Sequence, residues 1–262
     1  MTIYKNKVKK NALKATGIIL LFYVFIVYYF RIDYSFEFIF TIILISFLYV
    51  KLHSKKNIED AYNQLEILVT LINNLDIKNK IPFTRGYAGS PDYLYQISKT
   101  ISQEKPKLIL EVGSGVSTLI SSYTLKKNGF GKIISLDHSK EFSDKTKHEI
   151  KKHNLEDYAK VIYSPLKKQN NLRWYDISSL DKIESIDLLI IDGPPIKLGR
   201  NARYPAIPFL FDKLSDNAII LLDDARRKNE RETIKLWKNE YNCFEFRYIE
   251  NDKGLCIIKK IS

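Results

Sequence analysis

The chain of 262 residues has few of the residues that mark fibrous, disordered or disulfide-rich proteins. It contains 10 glycines, 8 prolines and one methionine, while 45% of its residues are hydrophobic. This composition excludes a collagen-like or disordered chain. Its two cysteines, Cys243 and Cys256, are too few for a disulfide scaffold or for a zinc site built on cysteine. The length suffices for one large domain, or for a domain with an appendage, around a real hydrophobic core.

Acidic residues are almost absent from the start of the chain. Residues 1–14 contain five lysines and no acid, and residues 1–56 carry more than half of the net charge of +12. The remaining charge is spread thinly, without a compact Lys/Arg helix of the kind that enters a nucleic-acid groove. We therefore expect no nucleic-acid partner.

Charge is also missing from two hydrophobic runs, residues 15–30 and 38–50. Each run is shorter than the roughly 20 residues that span a bilayer, but flanking apolar residues extend it. We predict two helices, over about 15–30 and 35–52. Lysines precede the first run and follow the second, and tyrosines cluster between them. By the positive-inside rule, this pattern indicates a hairpin in the cytoplasmic membrane with both chain termini in the cytoplasm.

Three alternatives compete with this membrane hairpin. A pair of helices buried in a protein core would need a polar face, and neither run has one. A signal peptide would have a small-residue cleavage site and no second hydrophobic segment, so the sequence disfavours it. A re-entrant hairpin that enters the bilayer without crossing it stays open, because both runs are short.

Strands and helices alternate in the rest of the chain. Helical spacing of apolar residues between positions 57 and 79 predicts a connecting helix. Beyond it, continuous apolar runs separated by helical segments predict a parallel sheet covered on both faces. Two final strands around a turn at 251–254 predict a C-terminal antiparallel hairpin. The predicted organisation is a membrane anchor (1–56), a connecting helix and linker (57–85), and an α/β doubly wound domain (86–262).

A glycine turn follows the first strand of this α/β domain. Gly113 and Gly115 permit a tight turn and the close approach of a ligand. Asp137 ends the next strand, where a carboxylate accepts hydrogen bonds from ribose hydroxyls. A dinucleotide site is the rival interpretation, but Thr118 stands where that motif has its third glycine, and Glu111 lies where a pyrophosphate would bind. A ligand with an ammonium group and no phosphate, such as S-adenosylmethionine, fits better.

Five segments extend this pattern in order along the chain: ILEVGSGVSTL, SLDHS, IDLLIIDGPP, ARYPAIP and IILLDDARR. Together they resemble the class I S-adenosylmethionine-dependent methyltransferases, in particular bacterial members whose fourth strand ends in a D-G-P-P element. The resemblance extends from about residue 87 to the C-terminus. It implies a Rossmann-like, mostly parallel seven-stranded sheet with a reversed last strand.

The resemblance also implies roles for individual residues. The methionine part of the cofactor would be lined by Glu111, Gly113, Ser114 and Gly115. Asp137 would hold the ribose and His138 would flank the adenine. Asp192, Gly193 and Pro194 would form the wall beside the transferred methyl group. Ser117 stands where many relatives have a third glycine.

Carboxylates end two neighbouring strands of the predicted sheet. Asp192 follows one strand, and Asp223 and Asp224 follow the next, so parallel pairing brings all three to one edge. Such oxygen ligands suit Mg²⁺, which would acidify a substrate diol. The alternative is that Asp223 and Asp224 cap the next segment or pair with Arg226 and Arg227. Asp192 is also the candidate base for an oxygen acceptor.

Three further residues, Arg200, Arg203 and Tyr204, lie at the same predicted edge. Their side chains suit an anionic or sugar-bearing acceptor, although Pro205 and Pro208 equally indicate a loop and a helix start. The sequence thus predicts a membrane-anchored methyltransferase that acts on acceptors at the cytoplasmic surface: a cell-envelope glycan, a lipid-linked sugar or another membrane-associated molecule. A non-catalytic membrane-tethered scaffold and an NAD-dependent oxidoreductase are the alternatives.

Overall fold

The computed structural model describes residues 21–22, 25, 28–29, 36–84, 88–169 and 172–261. The chain divides into two compact units, Met1–Asn63 and Gln64–Ser262. The first predicted hydrophobic helix, 15–30, falls mostly outside the described residues.

One long helix, α1 (Phe36–Asn74), stands where the sequence predicted two separate ones. The helix continues across the predicted boundary between anchor (1–56) and connecting helix (57–85), because residues 52–57 hold neither proline nor glycine to end it. Among the residues described, no helix is long and apolar enough to cross a membrane. The membrane hairpin therefore stays a prediction.

The unit Gln64–Ser262 is built around a seven-stranded sheet, and its strand order confirms the predicted fold class. The order is β3-β2-β1-β6-β7-β9-β8, with β9 antiparallel to both of its neighbours and the other pairs parallel. The sheet strands are β1 (Leu108–Val112), β2 (Lys132–Asp137), β3 (Ala159–Tyr163), β6 (Ile186–Ile191), β7 (Leu214–Leu222), β8 (Phe244–Ile249) and β9 (Leu255–Lys260).

Helices cover both faces of this sheet. They are α2 (Pro91–Glu104), α3 (Val116–Asn128), α4 (Lys140–Lys152), α5 (Ala206–Leu210) and α6 (Lys228–Glu240). Alternate residues of β1 enter different core clusters: Leu110 packs in the cluster of Trp237, and Ile109 in that of Tyr93. Burial on both faces explains why these strands are continuous apolar runs in the sequence.

A short antiparallel hairpin between β3 and β6 was not predicted. It consists of β4 (Leu166–Gln169) and β5 (Leu172–Tyr175). Both aromatic residues at the end of β5, Trp174 and Tyr175, are fully buried in the main core. The hairpin thereby brings an aromatic pair to the carboxyl edge of the sheet.

The carboxyl ends of β1, β6 and β7 meet at the point where the strand order reverses. The hydrogen-bonding pattern continues one residue past each strand: Gly113 N donates to Leu136 O at 2.8 Å, Asp192 N to Val112 O at 3.0 Å, and Asp223 N to Ile191 O at 3.1 Å. The backbone of Gly113, Asp192 and Asp223 is therefore fixed by the same kind of hydrogen bond that pairs the strands. Doubly wound sheets bind their ligands at such a reversal.

Candidate active site

The glycine turn packs directly against the end of β6. Gly113 has φ 101°, and a Cβ atom there would lie 3.2 Å from the backbone of Asp192 and Gly193. Conformation and space both require glycine at this position. Gly115 precedes α3, and its N–H donates to Thr118 Oγ1 at 3.1 Å.

Glu111 lies beneath this turn with no exposed surface. Its Oε2 accepts hydrogen bonds from Thr118 Oγ1 at 2.5 Å and from the Ser135 hydroxyl. Its Oε1 has no hydrogen-bond partner among the described residues. Burial raises the pKa of Glu111 to about 7, against the lowering effect of nearby hydroxyls, that of Ser117 first. A cationic ligand group would satisfy the open oxygen and favour the ionised carboxylate.

Asp137 is fixed at the end of β2 by the glycine turn itself. Its Oδ2 accepts from Ser114 N at 3.1 Å and Ser114 Oγ at 2.7 Å, and its Oδ1 accepts from Ser139 N at 2.9 Å. Ser114 Oγ also lies 3.0 Å from Thr146 Oγ1. A carboxylate offers about four acceptor positions, so Asp137 keeps capacity for a ligand hydroxyl. Ser114, predicted as a lining residue, orients this acid.

Aromatic side chains border the region between Asp137 and β6. The ring of His138 meets that of Tyr175 edge-on, with centroids 6.0 Å apart. A Cβ atom on Gly193 would come within 2.3 Å of the Tyr175 hydroxyl. Tyr175 thus explains why glycine follows Asp192. No sequence signal pointed to Tyr175, because β4 and β5 were not recognised as strands.

The predicted acidic cluster forms at the ends of β6 and β7. Asp192, Asp223 and Asp224 each offer a carboxylate oxygen within 4.8 Å of the others. Asp223 is fully buried, and neither of its oxygens has a hydrogen-bond partner in the described part of the chain. Burial raises the pKa of Asp192 to about 6 and that of Asp223 well above its usual value.

Arg203 occupies a place different from the one predicted for it. It is only 4% exposed, so it does not offer its guanidinium at an open acceptor surface. Nη1 donates to Asp223 O at 2.8 Å, and Nη2 donates to Asp192 O at 2.9 Å and to Asp224 Oδ2 at 2.8 Å. Nη2 also lies 3.3 Å from Asp192 Oδ1. Arg203 is therefore a cation inside the acidic cluster, and its assignment to substrate binding is corrected.

A second arginine contacts the same cluster from outside. Arg227 Nη1 lies 2.7 Å from Asp224 Oδ2, with a partly exposed side chain. This is the pairing that the sequence offered as the alternative to a metal ligand for Asp224. The donor set of the cluster suits a hard divalent ion, but two arginines already face it. The Mg²⁺ prediction is not confirmed.

The other two predicted acceptor residues lie apart from the cluster. Arg200 is exposed and pairs with Glu232 of α6, with Nε 2.9 Å from Oε2. It lines a shallow cleft with Lys197 and Lys228. The Tyr204 hydroxyl donates to Glu240 at 2.7 Å, and its ring packs against the core. Of the three, only Arg200 offers an exposed side chain.

One residue at the site that was not predicted from the sequence is Tyr93 of α2. It is fully buried, and its hydroxyl has no hydrogen-bond partner among the described residues. Its pKa is raised well above the usual value by burial and then by the charges of Asp192, Asp223 and Glu111. The Tyr93 hydroxyl is therefore neutral beside the acidic cluster.

Lys253, in the turn between β8 and β9, is a second residue that the sequence did not point to. It donates to Ala88 O at 3.1 Å. Burial raises the pKa of Asp192, and the charges of Arg203 and then of Lys253 lower it in part. Only the folded chain brings α2 and the terminal hairpin to this edge.

Comparison with known proteins gives a family match for the part of the chain that forms this site. Residues 110–225 match the methyltransferase-domain family. Comparison with curated protein sequences gives no match.

Solved structures share the fold at low sequence identity. A methyltransferase from Podospora anserina, PaMTH1, bound to S-adenosylhomocysteine (SAH) has 18% identity and a TM-score of 0.57, over 80% of this chain and 96% of that one. An O-methyltransferase from Bacillus cereus in complex with SAH has 15% identity and a TM-score of 0.52, over 74% and 90%. The O-methyltransferase TomG from Streptomyces achromogenes, in complex with S-adenosylmethionine, has 9% identity and a TM-score of 0.54, over 76% and 89%.

The family match covers the glycine turn, Asp137 and the acidic cluster. The sheet is seven-stranded and mostly parallel with a reversed last strand, as the sequence resemblance implied. Residues 110–225 of the chain are identified by the family match as a methyltransferase domain.

Proposed function

We propose that this chain is a membrane-anchored O-methyltransferase that acts at the cytoplasmic face of the membrane. Its acceptor is a hydroxyl group of a cell-envelope glycan, a lipid-linked sugar or another membrane-associated molecule. We infer an oxygen acceptor from the position of Asp192. Its half-buried carboxylate lies beside the glycine turn, where the strand order of the sheet reverses.

Asp192 has the properties of a general base for this reaction. Arg203 holds its Oδ1 and its backbone oxygen, and this leaves Oδ2 for an acceptor. A pKa of about 6, raised by burial, suits a base that works near neutral pH. The hydroxyl proton goes to Asp192, the hydroxyl oxygen bonds to the methyl carbon, and the carbon–sulfur bond breaks with its electrons remaining on sulfur. The products are the methyl ether and SAH.

The cofactor residues supply binding and orientation. Glu111, beneath the glycine turn, is proposed to take the ammonium group of S-adenosylmethionine, and Asp137 the ribose hydroxyls. In-line displacement needs donor and acceptor held in contact, and the rigid strand ends meet this need. No step uses Mg²⁺, because Arg203 already lies among the carboxylates that would hold it.

The exposed apolar surface of α1 supports the anchor. Residues 47–50 are all exposed, although successive helix positions point about 100° apart. A helix that packs on protein through one face would show an apolar stripe instead. The exposed apolar side chains of this segment are Ile43, Leu44, Ile45, Phe47, Leu48, Tyr49, Val50 and Leu52.

Methyl transfer to membrane extracts tests the proposed reaction. Full-length protein in detergent is incubated with radiolabelled S-adenosylmethionine and a membrane extract, and label is followed into lipid-linked and glycan fractions. We expect Asp192→Asn to lose at least a hundredfold in rate while it still binds the cofactor. Asp216→Asn removes an exposed carboxylate of β7 and serves as the matched control, with no expected loss. Equal rates for both variants would contradict the role of Asp192.

Fractionation of cells tests the anchor separately. We expect the full-length chain in the membrane pellet after carbonate washing. Recovery in the supernatant would contradict the anchor and would leave the assignment as a methyltransferase intact.

A further inference from the structure

We propose that Arg203 is the resident cation of the acidic cluster of Asp192, Asp223 and Asp224, and that it takes the place a divalent ion would fill. Methyl transfer by this chain then needs no divalent ion. The proposal deepens the proposed function, because it states how the carboxylate next to the methyl acceptor is held.

The contacts of the Arg203 guanidinium carry the inference. Nη2 reaches one oxygen of Asp224 and one of Asp192, at 2.8 and 3.3 Å. The same guanidinium binds the carbonyl oxygens of the residues directly after β6 and β7. A metal ion at this position would likewise connect the carboxyl ends of β6 and β7, through the carboxylates of Asp192 and Asp224.

Charge balance agrees with this geometry. Burial lowers the pKa of the Arg203 guanidinium, but the surrounding carboxylates, that of Asp192 first, outweigh this effect and raise the pKa above its usual value. Arginine in any case stays charged in proteins. Arg203 contacts Asp192 and Asp224 and lies 3.8 Å from buried Glu230, while Arg227 contacts Asp224. A divalent ion would add two positive charges next to a guanidinium that cannot lose its own.

The carboxylate oxygens of the cluster that have no hydrogen-bond partner predict that removal of Arg203 creates a metal site. Both oxygens of Asp223 and Oδ1 of Asp224 are buried without a hydrogen-bond partner in the part of the chain that the structure describes. Without the Arg203 guanidinium, the three carboxylates would lose the cation that lies between them, and only Arg227, which contacts Asp224 from outside, and the charge of Lys253 near Asp192 would remain. Hard oxygen ligands of this kind bind Mg²⁺ and Mn²⁺. Loss of one arginine should therefore create a divalent-ion site.

Titration with Mn²⁺, followed by electron paramagnetic resonance of the free ion, tests the proposal on full-length protein in detergent. We expect wild type to leave the free-ion signal undiminished and Arg203→Met to remove one ion per chain, in competition with Mg²⁺. Arg203→Lys, which keeps the charge, should bind Mn²⁺ at least tenfold more weakly than Arg203→Met. Arg200→Met removes an exposed arginine of the same segment and should resemble wild type. Adding Asp223→Asn to Arg203→Met should abolish the acquired binding.

Other results would overturn the proposal. One Mn²⁺ bound per wild-type chain and displaced by Mg²⁺ would show that the cluster takes an ion beside Arg203. A folded Arg203→Met that binds no Mn²⁺ would show that the Arg203 guanidinium does not occupy a divalent-ion site. Equal gains in Mn²⁺ binding by Arg203→Met and Arg200→Met would show the same.

If Arg203→Met folds poorly, its thermal unfolding temperature provides a second measure of Mn²⁺ binding. Its unfolding temperature should rise with Mn²⁺ but not with sodium at equal ionic strength. No rise with Mn²⁺ counts against the proposal. Cofactor binding, measured on the same samples by calorimetry, separates failure of this proposal from failure of the methyltransferase assignment.

Discussion

Thr118 Oγ1 lies 2.5 Å from Oε2 of Glu111, directly beneath the glycine turn. The residue that departs from a dinucleotide-binding motif is therefore, with Ser135, one of two hydroxyl residues that orient the buried acid. In this chain the third position of the motif supplies a hydrogen-bond donor, where a glycine would bring helix and strand closer together.

Replacement of Thr118 by valine should weaken cofactor binding through Glu111. A lost hydrogen bond to a buried charged group costs about 1–3 kcal/mol, which corresponds to about a five- to 150-fold rise in the dissociation constant. Thr124→Val is the control: Thr124 lies on the same helix, is also buried, and bonds Ser98 and the backbone of Ile120. Calorimetry should show weaker S-adenosylmethionine binding for Thr118→Val only. Equal losses in both variants would mean that disturbance of α3, and not of Glu111, weakens binding.

Stability of the ligand-free protein should fall as the pH rises through the range 4.5 to 7. Burial gives Glu111 a folded-state pKa of about 7, against an ordinary value of 4.5, so the folded state binds the proton more tightly than the unfolded state. Stability is then highest below 4.5 and decreases until the folded-state carboxyl has ionised. For this fully buried group the loss is on the order of 3 kcal/mol.

Denaturant unfolding at several pH values measures this effect. Glu111→Gln cannot ionise, so its stability should vary less with pH over the same range. Asp192, Asp223 and Glu230, whose pKa values are also raised by burial, contribute to the remaining slope in the same direction. Parallel curves for wild type and Glu111→Gln would contradict the raised pKa of Glu111.

Gly193 and Tyr175 should be coupled in a double-mutant cycle. Gly193→Ala would bring a Cβ atom within 2.3 Å of the Tyr175 hydroxyl, and overpacking of this kind costs about 1–3 kcal/mol. Tyr175→Phe removes the contacted atom. The double variant should be more stable than additivity of the two single variants predicts, by a coupling energy above about 0.5 kcal/mol. Strictly additive free energies of unfolding would place the strain elsewhere.

Arg203 and Arg200 should differ sharply in their effect on stability. Removing one partner of a buried ion pair costs about 3–5 kcal/mol, so Arg203→Met should lower the free energy of unfolding by that amount in metal-free buffer. Arg200 pairs with Glu232 at the surface, with its side chain 77% exposed, and such pairs contribute about 0–1 kcal/mol. Similar small losses for both variants would show that the Arg203 contacts contribute little.

The sequence was sufficient for features that depend on local pattern. The glycine turn and Asp137 follow directly from strand ends, and continuous apolar runs identify strands buried on both faces. These strands positioned Asp192, Asp223 and Asp224 correctly, because parallel neighbours bring their carboxyl ends to one edge.

Features that depend on distant segments were not accessible from the sequence. The position of Arg203 is set by the adjacency of β6 and β7, so its burial could not be read from the motif ARYPAIP. Likewise β4 and β5 are only four residues each, too short for a periodic pattern to identify. The lysine-rich stretch before residue 57 does not interrupt α1, because charged residues are compatible with helix.

Calorimetric titration of S-adenosylmethionine into full-length protein in detergent is the decisive test of the cofactor site. We predict one site of micromolar affinity, weakened at least tenfold, or about 1.4 kcal/mol, by Asp137→Ala. Asp144→Ala removes an exposed acid of α4 and should leave the affinity unchanged. A folded protein that binds no S-adenosylmethionine, or that binds it equally well after Asp137→Ala, would contradict a cofactor site built on the glycine turn and Asp137.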